Sequence, residues 1–380
     1  MRITVSPLGW GIAAVGLVAV VLGRRTGWVE LAAVGVGCLL LVLAGLVMAW
    51  GRSRYEVRLE LDERRVPVGQ PVAARLETTA VRRALPARVD LPVGPRTVVL
   101  WLPSLLAGAS HDELFAVPTD HRAVVPVGPV SIRRGDPWGL VSRNQQFTDV
   151  LELLVHPRVV GLAAVRPGLL RDLEGQATRE LSDADLSFHA LREYVPGDDR
   201  RMIHWRTSAR TGTLMVRQFE DTRRTRTTVA LATDPADYAD PDEFEMAVSV
   251  AASLALHVLR DERELTFLAG SRRLTATIPS ALLDECARLT TGPDGTRTGD
   301  LPYRVAAEPA TSSVAFLVGG STASADERRA AVRHVPVGLR VVAVSCATGA
   351  PLEVRQDGLA SLGQVGALDD LPRLMHRVVL

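Results

Sequence analysis

The polarity of the chain changes character along its length, and each pattern predicts a different kind of element. Residues 5–23 carry no charge, and a second uncharged run covers 31–51, reaching back to Trp28 if Glu30 lies at an interface. Roughly 20 apolar residues span a bilayer as a helix, so these runs predict a transmembrane helical hairpin over residues 1–54. Only Arg24-Arg25-Thr26-Gly27 separates them, which reads as a tight turn. Trp10, Trp28 and Trp50 fall near the run ends, where aromatic residues gather at membrane–water interfaces. A cleaved signal peptide is the competing reading of the first run, but no Ala-x-Ala site follows it and a second span comes next.

At Tyr55 the period drops to two. Tyr55, Val57, Leu59 and Leu61 alternate with Glu56, Arg58, Glu60 and Asp62, the signature of a half-buried strand. Strand-like runs recur at 72–76, 97–102, 123–127, 130–133 and 150–155, short and punctuated by Pro and Gly. They predict an all-β, sandwich-like domain over residues 55–160. Arg134-Gly135-Asp136 reads as a turn beside one of these strands. Residues 161–226 are a weakly patterned linker followed by a charge-dense block. From Thr227 strands (228–233, 264–268, 313–318, 339–345) alternate with helices (242–260, 282–289, 326–333, 372–379). That rhythm predicts a mostly parallel sheet with helices on its faces, an α/β domain over 227–380.

Within the charged block, Pro196-Gly197 signals a turn. Asp198 or Asp199 is placed to cap a helix over 200–210, and Gly212 to end it before a strand containing Leu214, Val216 and Phe219. On such a helix Met202, Trp205 and Ala209 share a face, with Trp205 expected to pack into the fold. Arg206 and Arg210 share another, and Glu193, Asp198, Asp199, Glu220 and Asp221 are nearby partners for the arginines. The block reads as a salt-bridged helix between two domains, as an anion-binding surface or as a docking site for a partner protein. His204 and Ser208, four apart, are the one pair that suggests nucleophilic catalysis, but no carboxylate is placed to orient the histidine.

Composition narrows the function more by exclusion. The formal charge of the 380 residues is +1, which gives no global field for nucleic acid, and all 44 basic residues are Arg. Without Lys there is no Schiff-base or P-loop chemistry. Cys38, Cys286 and Cys346 are far apart and odd in number, against a disulfide framework or zinc site. Arg2, Arg52, Arg54 and Arg58 flank the outer ends of the apolar pair while Arg24 and Arg25 occupy its turn, so the positive-inside rule places both ends in the cytoplasm.

The block also carries a long motif: Leu191-Arg192-Glu193-Tyr194, Pro196-Gly197-Asp198, Arg201, Ile203, Trp205, Ser208-Ala209-Arg210, Gly212, Leu214, Val216-Arg217 and Phe219-Glu220. It resembles the signature of the domain of unknown function 58 family, with His204 where many members carry Asp. Gly128-Pro129-Val130, Asp136-Pro137-Trp138-Gly139-Leu140 and His156-Pro157-Arg158 are similar to further family stretches. The resemblance implies a plasma-membrane accessory factor with a von Willebrand factor A-like (Rossmann-type) domain. It implies partnership with a MoxR-type AAA+ ATPase and a transglutaminase-like protein. It marks Arg192, Glu193, Tyr194, Gly197, Asp198, Arg201, Trp205, Ser208, Arg210, Arg217 and Glu220 as signature residues; these and Arg206, on the same charged stretch, are the candidate docking residues. Where such a domain holds Mg²⁺ or Ca²⁺, its first strand ends in Asp-x-Ser-x-Ser. Here Asp234 matches, but the serine positions hold Ala236 and Tyr238, and the later strand expected to add an acid ends in Gly319-Gly320. Asp237, Asp240 and Asp242 are the nearest substitutes. The expectation is a non-enzymatic adaptor on two membrane spans, without a cofactor. The rival is a metal-dependent adhesion module centred on Asp234.

Overall fold

The computed structural model describes residues 2–50, 55–84, 86–136, 138–162, 186–196, 198, 200–221, 226–308, 312–323, 327, 339–357 and 360–379. The chain forms two compact units, Met1–His156 and Pro157–Leu380.

The first unit opens with strand β1 (Arg2–Val5), then helices α1 (Pro7–Thr26) and α2 (Val29–Trp50). Both helices are long and apolar enough to cross a membrane, with mean hydropathies of 1.6 and 2.4 over their most apolar stretches. The helix extends through Arg24, Arg25 and Thr26, and left-handed Gly27 ends it, so the turn is shorter than the four residues expected. The helices approach closely through small residues: a Cβ on Gly16 would meet Cys38 and the Gly35 carbonyl. Val15, Leu17, Val34, Leu40 and Val47 point outward. Small residues inside and branched apolar residues outside is how helices pack where the surroundings are as apolar as the side chains.

The strands follow: β2 (Tyr55–Leu61), β3 (Arg65–Pro67), β4 (Val72–Ala80), β5 (Ala87–Val93), β6 (Arg96–Leu102), β7 (Ser110–Val117), β8 (Ala123–Val127), β9 (Ser131–Gly135), β10 (Val141–Gln146) and β11 (Leu151–His156). One sheet runs β1-β10-β9-β5-β8-β11-β3 with β6 on β5, and a second runs β2-β4-β7. Alternate residues of β4 (Val72, Ala74, Leu76) and of β5 (Val89, Leu91, Val93) fall in one apolar core, so strands of both sheets bury their inner faces together. β1 pairs antiparallel with β10. The chain therefore enters α1 and leaves α2 from the same unit.

The second unit begins with a two-stranded sheet, β12 (Leu186–Glu193) and β13 (Met215–Asp221), with the short helix α3 (Trp205–Thr211) between them. The expected linker and charged block lie partly outside the described residues, but Leu162 is buried in this unit's core. The main sheet comprises β14 (Arg226–Leu231), β15 (Glu264–Ala269), β16 (Arg272–Leu274), β17 (Val314–Gly319), β18 (Arg340–Cys346), β19 (Glu353–Asp357) and β20 (Ala360–Val365), in the order β16-β15-β14-β17-β18-β20-β19. β14, β15, β17, β18 and β20 are parallel; β16 and β19 are antiparallel additions. The helices are α4 (Pro241–Arg260), α5 (Pro279–Ala287), α6 (Leu301–Ala306) and α7 (Leu371–Val379). The helix expected over 326–333 lies almost wholly outside the described residues.

β14 shows why this sheet reads as continuous apolar runs. Val229 and Leu231 face the core that holds Ala247, Val248, Ala251 and Leu254 of α4. Ala230 and Ala232 face a second core containing Leu301 and Val305 of α6. Both faces are covered, so no position alternates to water. The order reverses at β14, whose neighbours β15 and β17 lead to opposite edges of the sheet.

Candidate functional site

Among the described residues two places concentrate polar chemistry: the β12–β13 hairpin and the carboxyl ends of β14 and β17. In the hairpin the chain leaves β12 after Glu193 and returns beside β13. Tyr194 donates its N–H to Leu214 at 2.8 Å, Ile203 bridges Val216, and His204 donates its N–H to Met215 at 2.8 Å. Ile203 and Val216 are both buried.

Asp198 is not a helix cap. Its carboxylate accepts both terminal nitrogens of Arg192 at 2.7 Å and the Val195 N–H at 2.9 Å. The planar fork of a guanidinium matches a carboxylate in this two-bond geometry. The side-chain hydrogen bond holds the Asp198 carboxyl below its usual range and raises the Arg192 guanidinium. The cap is His204: its Nδ1 accepts the Thr207 N–H at 3.2 Å, and the helix starts at Trp205, five residues later than expected, after a tight turn over Arg200–Met202. Gly212 ends it in the left-handed conformation, φ 74°, as its position predicted.

Ser208 is buried and fully used: its hydroxyl donates to the His204 carbonyl at 3.1 Å and accepts the Met215 N–H at 2.8 Å. It staples α3 to β13. The His204 ring faces Thr207, whose hydroxyl lies 2.8 Å from Nδ1, while the Ser208 hydroxyl bonds the His204 carbonyl rather than its ring. Trp205 overturns its expectation, being 66% exposed. Because the helix begins at Trp205, Met202 lies outside it, and Ala209 is exposed with the arginines. Arg206 and Arg210 are exposed, and neither has an ion-pair partner among the described residues. Val195 and Leu214 are exposed as well. Arg201 is exposed and Glu193 lies at the end of β12. Arg217 and Glu220 sit in β13 opposite Leu191 and Ser187. Gly197 and Asp199 lie outside the described residues.

At the strand ends, Asp234 accepts the Ala236 N–H at 2.8 Å and caps a short turn over Pro235–Asp237. Asp237, 1% exposed, accepts the Thr298 N–H at 2.5 Å and the Thr298 hydroxyl at 2.8 Å. Arg297 reaches over this group, with Nε 3.4 Å from Asp237, 3.9 Å from Asp234 and a terminal nitrogen 3.7 Å from Glu327. These carboxylates, Asp237 first, raise the Arg297 guanidinium. The Tyr238 hydroxyl donates to the Ala232 carbonyl at 2.7 Å, and burial pushes its pKa well up. Glu243 accepts the Ser321 hydroxyl at 2.8 Å and the Ala239 N–H at 2.9 Å. Asp240 caps α4 through the Glu243 N–H. Gly320 lies so close to the Asp237 carbonyl that no Cβ fits. Among the described residues no three His, Cys, Asp or Glu side chains are grouped to hold a metal ion. Arg297 and Thr298 were invisible as site residues because their partner, Asp237, is 60 positions away.

A family model described as "Protein of unknown function DUF58" matches residues 190–351. The match starts inside β12 and takes in both the hairpin and the strand-end cluster. "Uncharacterized protein YeaD" of Bacillus subtilis (strain 168) is 24% identical over 233 residues, 57% of this chain. The chain spans 56% of that relative's length. Among solved structures, a sporulation control protein from Bacillus subtilis, Spo0M, matches 37% of this chain and 57% of its own at 14% identity, with a TM-score of 0.17. A likeness that low carries no argument.

Proposed function

We propose that this protein is a membrane-anchored, non-enzymatic adaptor that presents the β12–β13 hairpin to a protein partner. One observation carries the reading: Ser208 and the Arg192–Asp198 pair are engaged within the hairpin, while Trp205 stays exposed on the same short helix as Arg206 and Arg210. Trp and Arg are the residues most enriched where protein interfaces concentrate binding energy. An exposed indole that stabilises no core is best accounted for by a surface that meets something else. The partner class that the family resemblance implies is a MoxR-type AAA+ ATPase. The helices α1 and α2 are the anchor, and the arginines flanking their outer ends favour a cytoplasmic body.

The fold supports finer readings. We read residues 55–156 as a β-sandwich, because β2-β4-β7 and the larger sheet share one core. We read the second unit's sheet as von Willebrand factor A-like, from its reversing strand order and the antiparallel β16 at its edge. We read Arg297 as the countercharge of the strand-end carboxylates in that domain. Asp234 is engaged as a cap, and Ala236 and Tyr238 offer no ligand beside it.

The test is cross-linking in native membranes with the intact chain and with Trp205→Ala and Arg206→Ala. The adaptor reading expects an AAA+ ATPase captured by the intact chain and lost from both variants, with thermal stability unchanged. Equal capture by all three chains, or none by the intact one, would discard it.

A further inference from the structure

The end of the first unit nearest α1 and α2 carries an exposed set of apolar and basic residues. Pairing places them. Tyr55, the first residue of β2 after α2, lies opposite Ala80, the last of β4. Gly108 donates to the Ala80 carbonyl at 2.7 Å, so the loop after β4 and the loop before β7 share that end. β5 runs antiparallel to β9 with Arg88 opposite Arg133, which brings the start of β5, the end of β6 and the β9–β10 turn to the same side. Exposed there are Val81, Arg82 and Arg83, Trp101 (71%), Leu106 (70%) and Trp138 (52%).

The β9–β10 turn fixes the depth. Asp136 closes it by accepting the Leu140 N–H at 2.7 Å and the Val141 N–H at 3.2 Å. The turn is then bound to the helices: Ser6 donates to the Leu140 carbonyl at 2.8 Å, and Leu140 and Val141 pack with Ile12 and Ala13 of α1 and Val42 and Leu46 of α2. Cβ atoms at Gly9 and Gly45 would strike Leu140 and Asp136. At 1.5 Å per residue α1 and α2 are about 30 Å and about 33 Å long. A bilayer's hydrocarbon core is about 30 Å thick, so helices of this length have almost nothing to spare outside it. A turn that packs against Gly9, Ile12 and Ala13 near the start of α1 and against Val42 and Leu46 near the end of α2 lies below the ends of both helices, within reach of the acyl chains.

We propose that this end of the first unit is a lipid-contacting rim on the same bilayer that holds the helices. Trp138, Leu106, Val81 and Trp101 enter the interface, and Arg82 and Arg83 meet anionic headgroup phosphates. The proposal rests on the anchoring reading. Continuity selects the occupant: the exposed apolar surface of the helices passes directly into the turn that bears Trp138.

The experiment reconstitutes the full chain in nanodiscs containing anionic lipid, in a Cys38→Ala background whose remaining cysteines are buried. A nitroxide label is placed singly through Leu106→Cys, through Val15→Cys on the outer face of α1, and through Glu63→Cys beyond the far end of β2. The oxygen-to-nickel accessibility ratio reads contact with lipid. The Leu106 position should give a ratio several-fold above that of Glu63 and close to that of Val15, and Arg82→Glu with Arg83→Glu should lower it. A Leu106 label as aqueous as the Glu63 label, with Val15 in lipid, overturns the rim and leaves the anchor standing. A Leu106 label shielded from both reagents means protein covers the rim, which also overturns it. An aqueous Val15 label removes the anchor and the rim together.

Discussion

Arg192 grips Asp198 on the hairpin, six residues along the chain, whereas Arg297 meets Asp237 across 60 residues at the strand ends. The first pair has better geometry, two bonds of 2.7 Å against one of 3.4 Å. Its partners lie partly in solvent, at 40% and 19% exposure, where water competes for both charges. In the second pair Asp237 is 1% exposed and cannot be hydrated. Thr298 supplies the hydrogen bonds that solvent would otherwise give, and Arg297 the countercharge. Bond length therefore ranks these pairs wrongly; what each carboxylate would face without its partners ranks them correctly. The hairpin pair shapes a loop, while the strand-end pair joins the loop after β14 to the segment before α6.

The largest effect should follow Asp237→Ala. It strands the Thr298 N–H and hydroxyl in a closed site and should cost about 3 kcal/mol of the second unit's stability. Urea unfolding of the reconstituted chain checks this, and a loss no greater than that of a surface substitution would break the contrast. Ser208→Ala should cost about 1 kcal/mol, because the partly buried Met215 N–H loses its acceptor. Hydrogen exchange at the Met215 amide should accelerate while the main sheet's amides stay protected.

A smaller effect is expected on acidification. The folded Asp198 pKa lies below its unfolded value of 3.8, so its contribution is complete above that value and is lost as pH falls through the lowered one. Loop amides around Val195 should lose protection as the pH falls below about 4, before the main sheet opens, and Asp198→Asn should abolish that step. The smallest effect is on Trp205→Ala, which should change unfolding free energy by no more than about 0.5 kcal/mol, since the indole is exposed. A loss of several kcal/mol there would show that Trp205 holds the fold.

Local rhythm made much of the architecture legible. Two uncharged runs became α1 and α2, the alternation at Tyr55 became β2, and apolar runs between helices became a largely parallel sheet. The motif drew attention to residues 191–220, inside the span that the family model matches. Legibility failed where a residue's role depends on something distant. β1 has four residues and no readable period; it is a strand because β10, some 140 positions on, supplies its partner. Trp205 was assigned inward from helical spacing, but the helix begins at Trp205 itself, so the spacing with Met202 describes no common face. Asp198 had the sequence position of a cap and lost that role to His204 once Arg192 claimed its carboxylate.

By itself, then, the sequence determined the two apolar spans and the helices and strands with a clear period, because period and charge act within a few residues. Tertiary structure alone decided which carboxylate is buried, which guanidinium answers it, and that the β9–β10 turn lies against the helices. Those outcomes depend on desolvation, and desolvation is a property of what surrounds a group in space.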